Sequence, residues 1–243
     1  MNKTIVNTRA THQAKALDAL ILKYGATPLA YPCIDIIPPA DSSELDQGIR
    51  DLIAGKFDWL VLTSANTVYS LAQRLSALGL RLPSTFKTAV IGTATAEAAQ
   101  TMLGLHIDLI PAEQVAESLA VALLDQSARR VFLPESAIAR PTLAQALPDV
   151  HTVTAYETVC GSGGIIFKDQ PVDVVTFTSS STVTCFIQRL EAEGTSPLSA
   201  DVCVACIGQK TANTAREHGL SVTITPQEYT LDAMMAAISQ YFE

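Results

Sequence analysis

Two stretches of the chain set clustered hydroxyls between an apolar β-like run and a helical pattern: Thr63–Leu75 (TSANTVYSLAQRL) and Thr178–Leu190 (TSSSTVTCFIQRL). Seven of their thirteen positions agree, at a constant offset of 115. Hydroxyls at such a corner can cap the helix, accepting from amides that have no intrahelical partner. The amides left over can hold an anion at the positive end of the helix. Two further corners turn on Gly92 (IGTATA) and Gly208 (IGQKTA), with Thr93, Thr95 and Thr211 beside them. This is binding chemistry. The G-x-G-x-x-G dinucleotide pattern is absent, TSAN lacks the flanks of a nucleophile elbow, and no His–carboxylate–nucleophile spacing stands out. Arg9 (VNTRA) and Arg140, after VFLPES, are candidates for meeting carboxylates. Tyr156 (AYETV) stands in a possible linker, where one aromatic is more often a packing residue than a catalyst.

The bulk composition narrows the function classes. Sixteen Lys plus Arg against 24 Asp plus Glu give a net charge of -8, and Arg129-Arg130 is the longest basic run. Nucleic-acid binding normally needs a basic stripe, so it is not expected. The start, MNKTIVNTRA, has too short an apolar run for a signal peptide, and the apolar stretches break before membrane-spanning length. A soluble cytoplasmic protein is expected. The five cysteines, Cys33, Cys160, Cys185, Cys203 and Cys206, form an odd, unpatterned set. Cys203 and Cys206 lie in a strand-like run that points them to opposite faces. Packed free thiols are expected, with no metal site.

The elements that position these residues come from a duplicated chain. After the glycine corners, each copy runs through a helical stretch into a strand-like run ending on proline, HIDLIP at Pro111 and SVTITP at Pro226. Each copy reads strand, helix, strand, strand, helix, strand, helix, strand, helix. Apolar residues three and four apart, such as Val68, Leu71, Ala72 and Leu75, mark the helices. The fold class is α/β: two similar domains with parallel sheets flanked by helices. The matching runs Tyr31–Ile37 and Thr154–Cys160 read as crossing linkers. The repeat alone allows either sequential domains or one inserted in the other. Two facing domains would present four hydroxyl-rich strand ends to a ligand.

The ordered set VNTRA, FDWLVLTSANTV, AVIGTATAEAA, VFLPES, AYET, VDVVTFTSSSTV, IGQKTANTAREHGL and PQEYTLDAMMAAI resembles the uroporphyrinogen-III synthase family over nearly the whole chain. The resemblance implies an inserted second domain. Domain one is then 1–32 plus 170–243, domain two 38–153, and the linker segments 33–37 and 154–169. It implies a cofactor-independent hydro-lyase of tetrapyrrole biosynthesis. That enzyme cyclises hydroxymethylbilane with inversion of ring D, works as a monomer, and has hydroxymethylbilane synthase as the expected source of its substrate. By the same resemblance Tyr156 is the catalytic residue. Arg9, Thr63, Ser64, Gly92, Thr93, Ser136, Arg140, Ser179, Ser180, Gly208 and Thr211 bind substrate. IGQKTA and VNTRA lack prolines common in the family, and PESAIAR departs from its usual turn. The other reading from the residues is a non-catalytic cytoplasmic protein that binds an anion or a tetrapyrrole and regulates.

Overall fold

The computed structural model describes residues 1–165, 167, 170–195 and 198–243. Ile166, Lys168 and Asp169 of the expected linker 154–169 lie outside the described residues. In chain order the elements are β1 (Thr4–Asn7), α1 (Thr11–Lys23), β2 (Thr27–Ala30), β3 (Ile34–Ile37) and α2 (Ser43–Ile53). There follow β4 (Trp59–Leu62), α3 (Ala65–Leu78), β5 (Lys87–Val90), α4 (Thr93–Leu103), α5 (Ala116–Asp125) and β6 (Val131–Ser136). Then come α6 (Thr142–Ala146), β7 (Val150–Cys160), β8 (Val174–Phe177), α7 (Ser180–Ala192), β9 (Cys203–Cys206), α8 (Gln209–Glu217), β10 (Val222–Ile224) and α9 (Leu231–Tyr241).

The chain divides into two compact units, Met1–Asp35 with Val159–Glu243 (unit 1) and Ile36–Thr158 (unit 2). One sheet has the order β10-β9-β8-β1-β2 and the other β3-β7-β6-β4-β5. The pairs β10–β9, β9–β8, β8–β1 and β1–β2 are parallel, as are β7–β6, β6–β4 and β4–β5. In the terms of the repeat, β9-β8-β1-β2 in one sheet matches β5-β4-β6-β7 in the other. Each sheet therefore joins the first part of one copy to the second part of the other.

Parallel strands covered on both faces read as continuous apolar runs. WLVL of β4, VVTF of β8 and CVAC of β9 are buried at every position. In unit 1, Leu17 and Ile21 of α1 and Met234, Met235 and Ile238 of α9 pack on Ile5, Val174, Cys203 and Ala205. On the other face Phe186 of α7 meets Phe177 edge-on, with ring centres 5.1 Å apart. In unit 2, Leu119 and Leu123 of α5 and Leu143 and Leu147 around α6 cover Trp59, Val61, Val131 and Leu133. The arginine of the shared Gln-Arg-Leu makes a long-range contact in each unit. Arg74 pairs with Asp46 of α2, while Arg189 donates to the Pro32 carbonyl at 2.7 Å and lies over the Tyr31 ring.

Three details depart from the sequence reading. HIDLIP of the first copy forms only a single bridge, Leu109 to Ala89, rather than a strand. VHTVTAYETVC is one unbroken strand, β7, whereas the first copy splits around Pro32 into β2 and β3. Proline has no amide to give a ladder, which accounts for the break. The third departure is chemical: Cys160 and Cys185 form a disulfide instead of free thiols. Cys33, Cys203 and Cys206 are free and buried. Burial pushes the Cys206 thiol up to about 12, against the opposing pull of Arg216, so it stays protonated and inert. Among the described residues no helix is long and apolar enough to cross a membrane, and no three His, Cys, Asp or Glu side chains gather as metal ligands would.

Candidate functional site

Parallel pairing puts the carboxyl ends of neighbouring strands on one edge of each sheet, the edge where α/β proteins hold ligands. In unit 2 that edge carries Thr63 and Ser64 after β4, Gly92 after β5 and Ser136 at the end of β6. Ser64 is the N-cap of α3: its backbone is extended and its Oγ accepts from the Thr67 amide at 3.1 Å. The same oxygen lies 3.0 Å from Thr67 Oγ1 and 3.1 Å from the Tyr156 hydroxyl. Tyr156, on β7 in register with Ser136, is only 6% exposed. Ser70 of α3 donates to the neighbouring Ala155 carbonyl, which ties this part of β7 to the helix. Thr93 is exposed at the first position of α4, and Arg140 is exposed in the loop before α6. Glu135, next to Ser136, has its carboxyl pushed above the usual range by burial.

Unit 1 repeats the arrangement with different saturation. Ser179, the N-cap of α7, accepts from the Thr182 amide at 3.2 Å, and Thr182 returns a bond to the Ser179 amide, completing a capping box. Ser180 accepts from Thr214 of α8 at 2.8 Å. The Gly208 and Gly92 corners differ from the serine corners. Each is an extended N-cap with no side-chain hydrogen bond to the first turn of its helix, α8 or α4. Their amides are consequently left to solvent or to a ligand. Thr211 and its counterpart Thr95 are buried in those first turns.

Arg9 follows β1, which neighbours β8. Its Nε is buried and has no hydrogen-bond partner among the described residues. Burial lowers the guanidinium's hold on its proton. Arg9 as a whole is half-buried, so it is the Nε–H that lacks a partner, and an incoming carboxylate can accept from it. Asn7 orients the turn: its Oδ1 accepts from the Arg9 amide at 3.1 Å, while its Nδ2 donates to Ala14 O and to Asp18 at 2.8 Å.

Sequence reasoning passes over Asn7, Gln114 and Tyr229. The last two stand three residues beyond the paired prolines Pro111 and Pro226, at the same offset of 115 as the hydroxyl corners. They pack on Gly92 and Gly208 respectively. The repeat was the signal that could have found them.

Comparison with known proteins covers the whole chain. The family model described as Uroporphyrinogen-III synthase HemD matches residues 15–236. A uroporphyrinogen-III synthase from Synechococcus elongatus is 34% identical over 256 residues, covering 99% of this chain and 96% of that protein. Among solved structures, uroporphyrinogen-III synthetase from Helicobacter pylori aligns at a TM-score of 0.65 and 14% identity, with all of both chains covered. A mutant uroporphyrinogen III synthase from Thermus thermophilus aligns at 0.59 and 20% identity, covering 99% of this chain and 100% of that one. At those identities the two structures establish the shared two-domain α/β fold.

Proposed function

The chain belongs to the uroporphyrinogen-III synthase family, and from that premise we propose that it closes hydroxymethylbilane to uroporphyrinogen III, inverting ring D and releasing water. The observation that carries the reading is the buried, unpartnered Arg9 Nε at a sheet edge where the first turn of α8 has no side-chain cap. Such an edge takes carboxylates, and the linear tetrapyrrole carries them on every ring. The net charge of -8 is no obstacle, because it acts on long-range steering while local amides and cations do the recognition.

The reaction begins with loss of the hydroxyl on ring A as water, which leaves a reactive azafulvene. The substituted carbon of ring D attacks it to give a spiro intermediate. That intermediate fragments and recloses in the inverted sense. The net change is loss of water with no change of oxidation state. Ring closure in free solution follows the uninverted course. The protein's task is therefore to hold the chain folded so that the substituted carbon is the nearer one.

Tyr156 is the proposed proton donor to the departing hydroxyl. Ser64, 3.1 Å from its hydroxyl, fixes the phenol's direction while its oxygen also caps α3. Thr63, Gly92, Thr93, Ser136 and Arg140 in unit 2 are proposed contacts for carboxylates, as are Arg9, Ser179, Ser180, Gly208 and Thr211 in unit 1. Glycine corners supply backbone amides in this scheme, serine corners supply rigid helix starts.

The test is product isomer analysis with freshly made hydroxymethylbilane, with and without the protein. Predominant isomer III is the expected result. Isomer I at the uncatalysed rate, from folded protein and intact substrate, overturns the proposal.

A further inference from the structure

Gly208 is glycine for a reason outside its own backbone. Its φ is -167°, extended geometry that any residue adopts. What a side chain would displace is the ring of Tyr229: a Cβ placed on Gly208 would lie 2.9 Å from Cδ1, 3.1 Å from Cγ and 3.2 Å from Cε1. The tyrosine is nevertheless 67% exposed. Its ring thus rests on the strand-end corner and turns the remainder outward. Its hydroxyl makes no hydrogen bond among the described residues.

The first copy of the repeat holds the same device with another side chain. Gln114 stands where Tyr229 does, and a Cβ on Gly92 would meet its Oε1 at 2.1 Å. The supporting turns are alike: the Val115 amide donates to Glu113 O at 2.8 Å, and the Thr230 amide donates to Glu228 O at 2.9 Å. The same backbone turn in the two copies thus presents a flat amide at one sheet edge and a flat aromatic at the other. An exposed ring supported from behind is a poor contribution to a core. It is a pre-organised platform for another ring, since stacking on it requires little ordering.

We propose that Tyr229 is a specificity-determining residue, its outward ring stacking on a pyrrole of the tetrapyrrole whose carboxylate lies at the first turn of α8. This rests on the synthase reading above. Gln114 cannot stack in this way and offers only a hydrogen-bonding amide, so the stacking contact belongs to the unit 1 corner alone.

The experiment is steady-state kinetics with hydroxymethylbilane on the full chain, together with titration of each variant with uroporphyrinogen III. Tyr229→Leu and Tyr229→Gln are expected to raise KM and weaken product binding roughly five- to tenfold, the range of a lost aromatic pair. Tyr229→Phe, which keeps the ring, is expected to recover most of that loss. Gly208→Ala leaves the tyrosine in place but pushes the ring off its seat, and is expected to raise KM in the same direction. Because Tyr229 is exposed, circular dichroism and the melting temperature should hardly move, whereas a purely structural plug would lower the melting temperature and leave KM alone. An unchanged KM and product affinity in Tyr229→Leu, with wild type making isomer III, overturns this inference alone. A wild type that makes no isomer III overturns the synthase reading and this inference with it.

Discussion

Reducing the Cys160–Cys185 disulfide is expected to cost unit 1 about 3.5 kcal/mol. The two cysteines are 25 residues apart, Cys160 at the end of β7 and Cys185 in α7. Closing a loop of that length in the unfolded chain removes about 12 cal/mol/K of entropy, which at 298 K gives the figure above. The loop encloses all of β8 and the start of α7, so the constraint acts on a segment that must thread into the middle of a sheet. Cys160 is exposed, which gives a reductant access. Oxidised protein and reduced, alkylated protein would be unfolded in urea and followed by far-UV circular dichroism, with thiol tagging to confirm each state. The midpoint should fall by roughly 1 to 3.5 M. Hydrogen exchange should place the loss in β8, α7 and β9 and spare β4, because both cysteines belong to unit 1. The Cys160→Ser/Cys185→Ser double variant should behave as the reduced protein does. An unchanged midpoint in fully reduced protein would refute the loop-closure reasoning.

Other expectations follow from single contacts. Gly48→Ala in α2 gains about 1 kcal/mol of helix propensity but drives a methyl to within 2.5 Å of Phe132 Cε2. Phe132 is fully buried and stacked on Phe57 at 5.2 Å, so it cannot yield; overpacking of about 1–3 kcal/mol should win, and a raised melting temperature would count against that. Burial alone would raise the Asp173 carboxyl, but the Thr4 amide, Lys3 and the Thr4 hydroxyl outweigh it and hold the group below its ordinary 3.8. Its stabilisation is therefore complete above that value and is lost as pH falls through the lower folded one; Asp173→Asn should flatten the acid limb of a stability-versus-pH curve, and an unaltered limb would exclude the linkage. Tyr156→Phe should cut formation of isomer III about a hundredfold while leaving the fold intact, because Ser64 keeps its bond to the Thr67 amide; undiminished turnover would remove Tyr156 from the mechanism.

The serine corners were legible because capping is local. Ser64 and Ser179 each bond an amide three residues ahead, so the motif contains both partners. The buried strands were legible for a similar reason: an apolar run of four or five residues between turns has few other places to go. The disulfide was not, since 25 residues with no repeated cysteine spacing carry no signal, and pairing waits on where β7 ends beside α7. The role of the glycine corners was half visible. The sequence shows the turn, but not the ring or amide that a side chain there would have to displace.

By itself, then, the amino-acid sequence determined the duplication, the α/β class and the hydroxyl-bearing corners, all of which rest on interactions within a few residues or on periodicity. The repeat left open which halves of the two copies share a sheet, and that choice rests on tertiary structure. β1 and β8 carry their own strand signals, yet nothing in either names the other. Their union is sealed by a reciprocal pair of buried bonds across the ladder, Thr8 Oγ1 to Thr176 O at 2.6 Å and Thr176 Oγ1 to Val6 O at 2.7 Å. The Ser64–Tyr156 contact is of the same kind, joining residues 92 apart. Such contacts form only after the chain has closed its long loops, and the choice among closures belongs to the packed core as a whole.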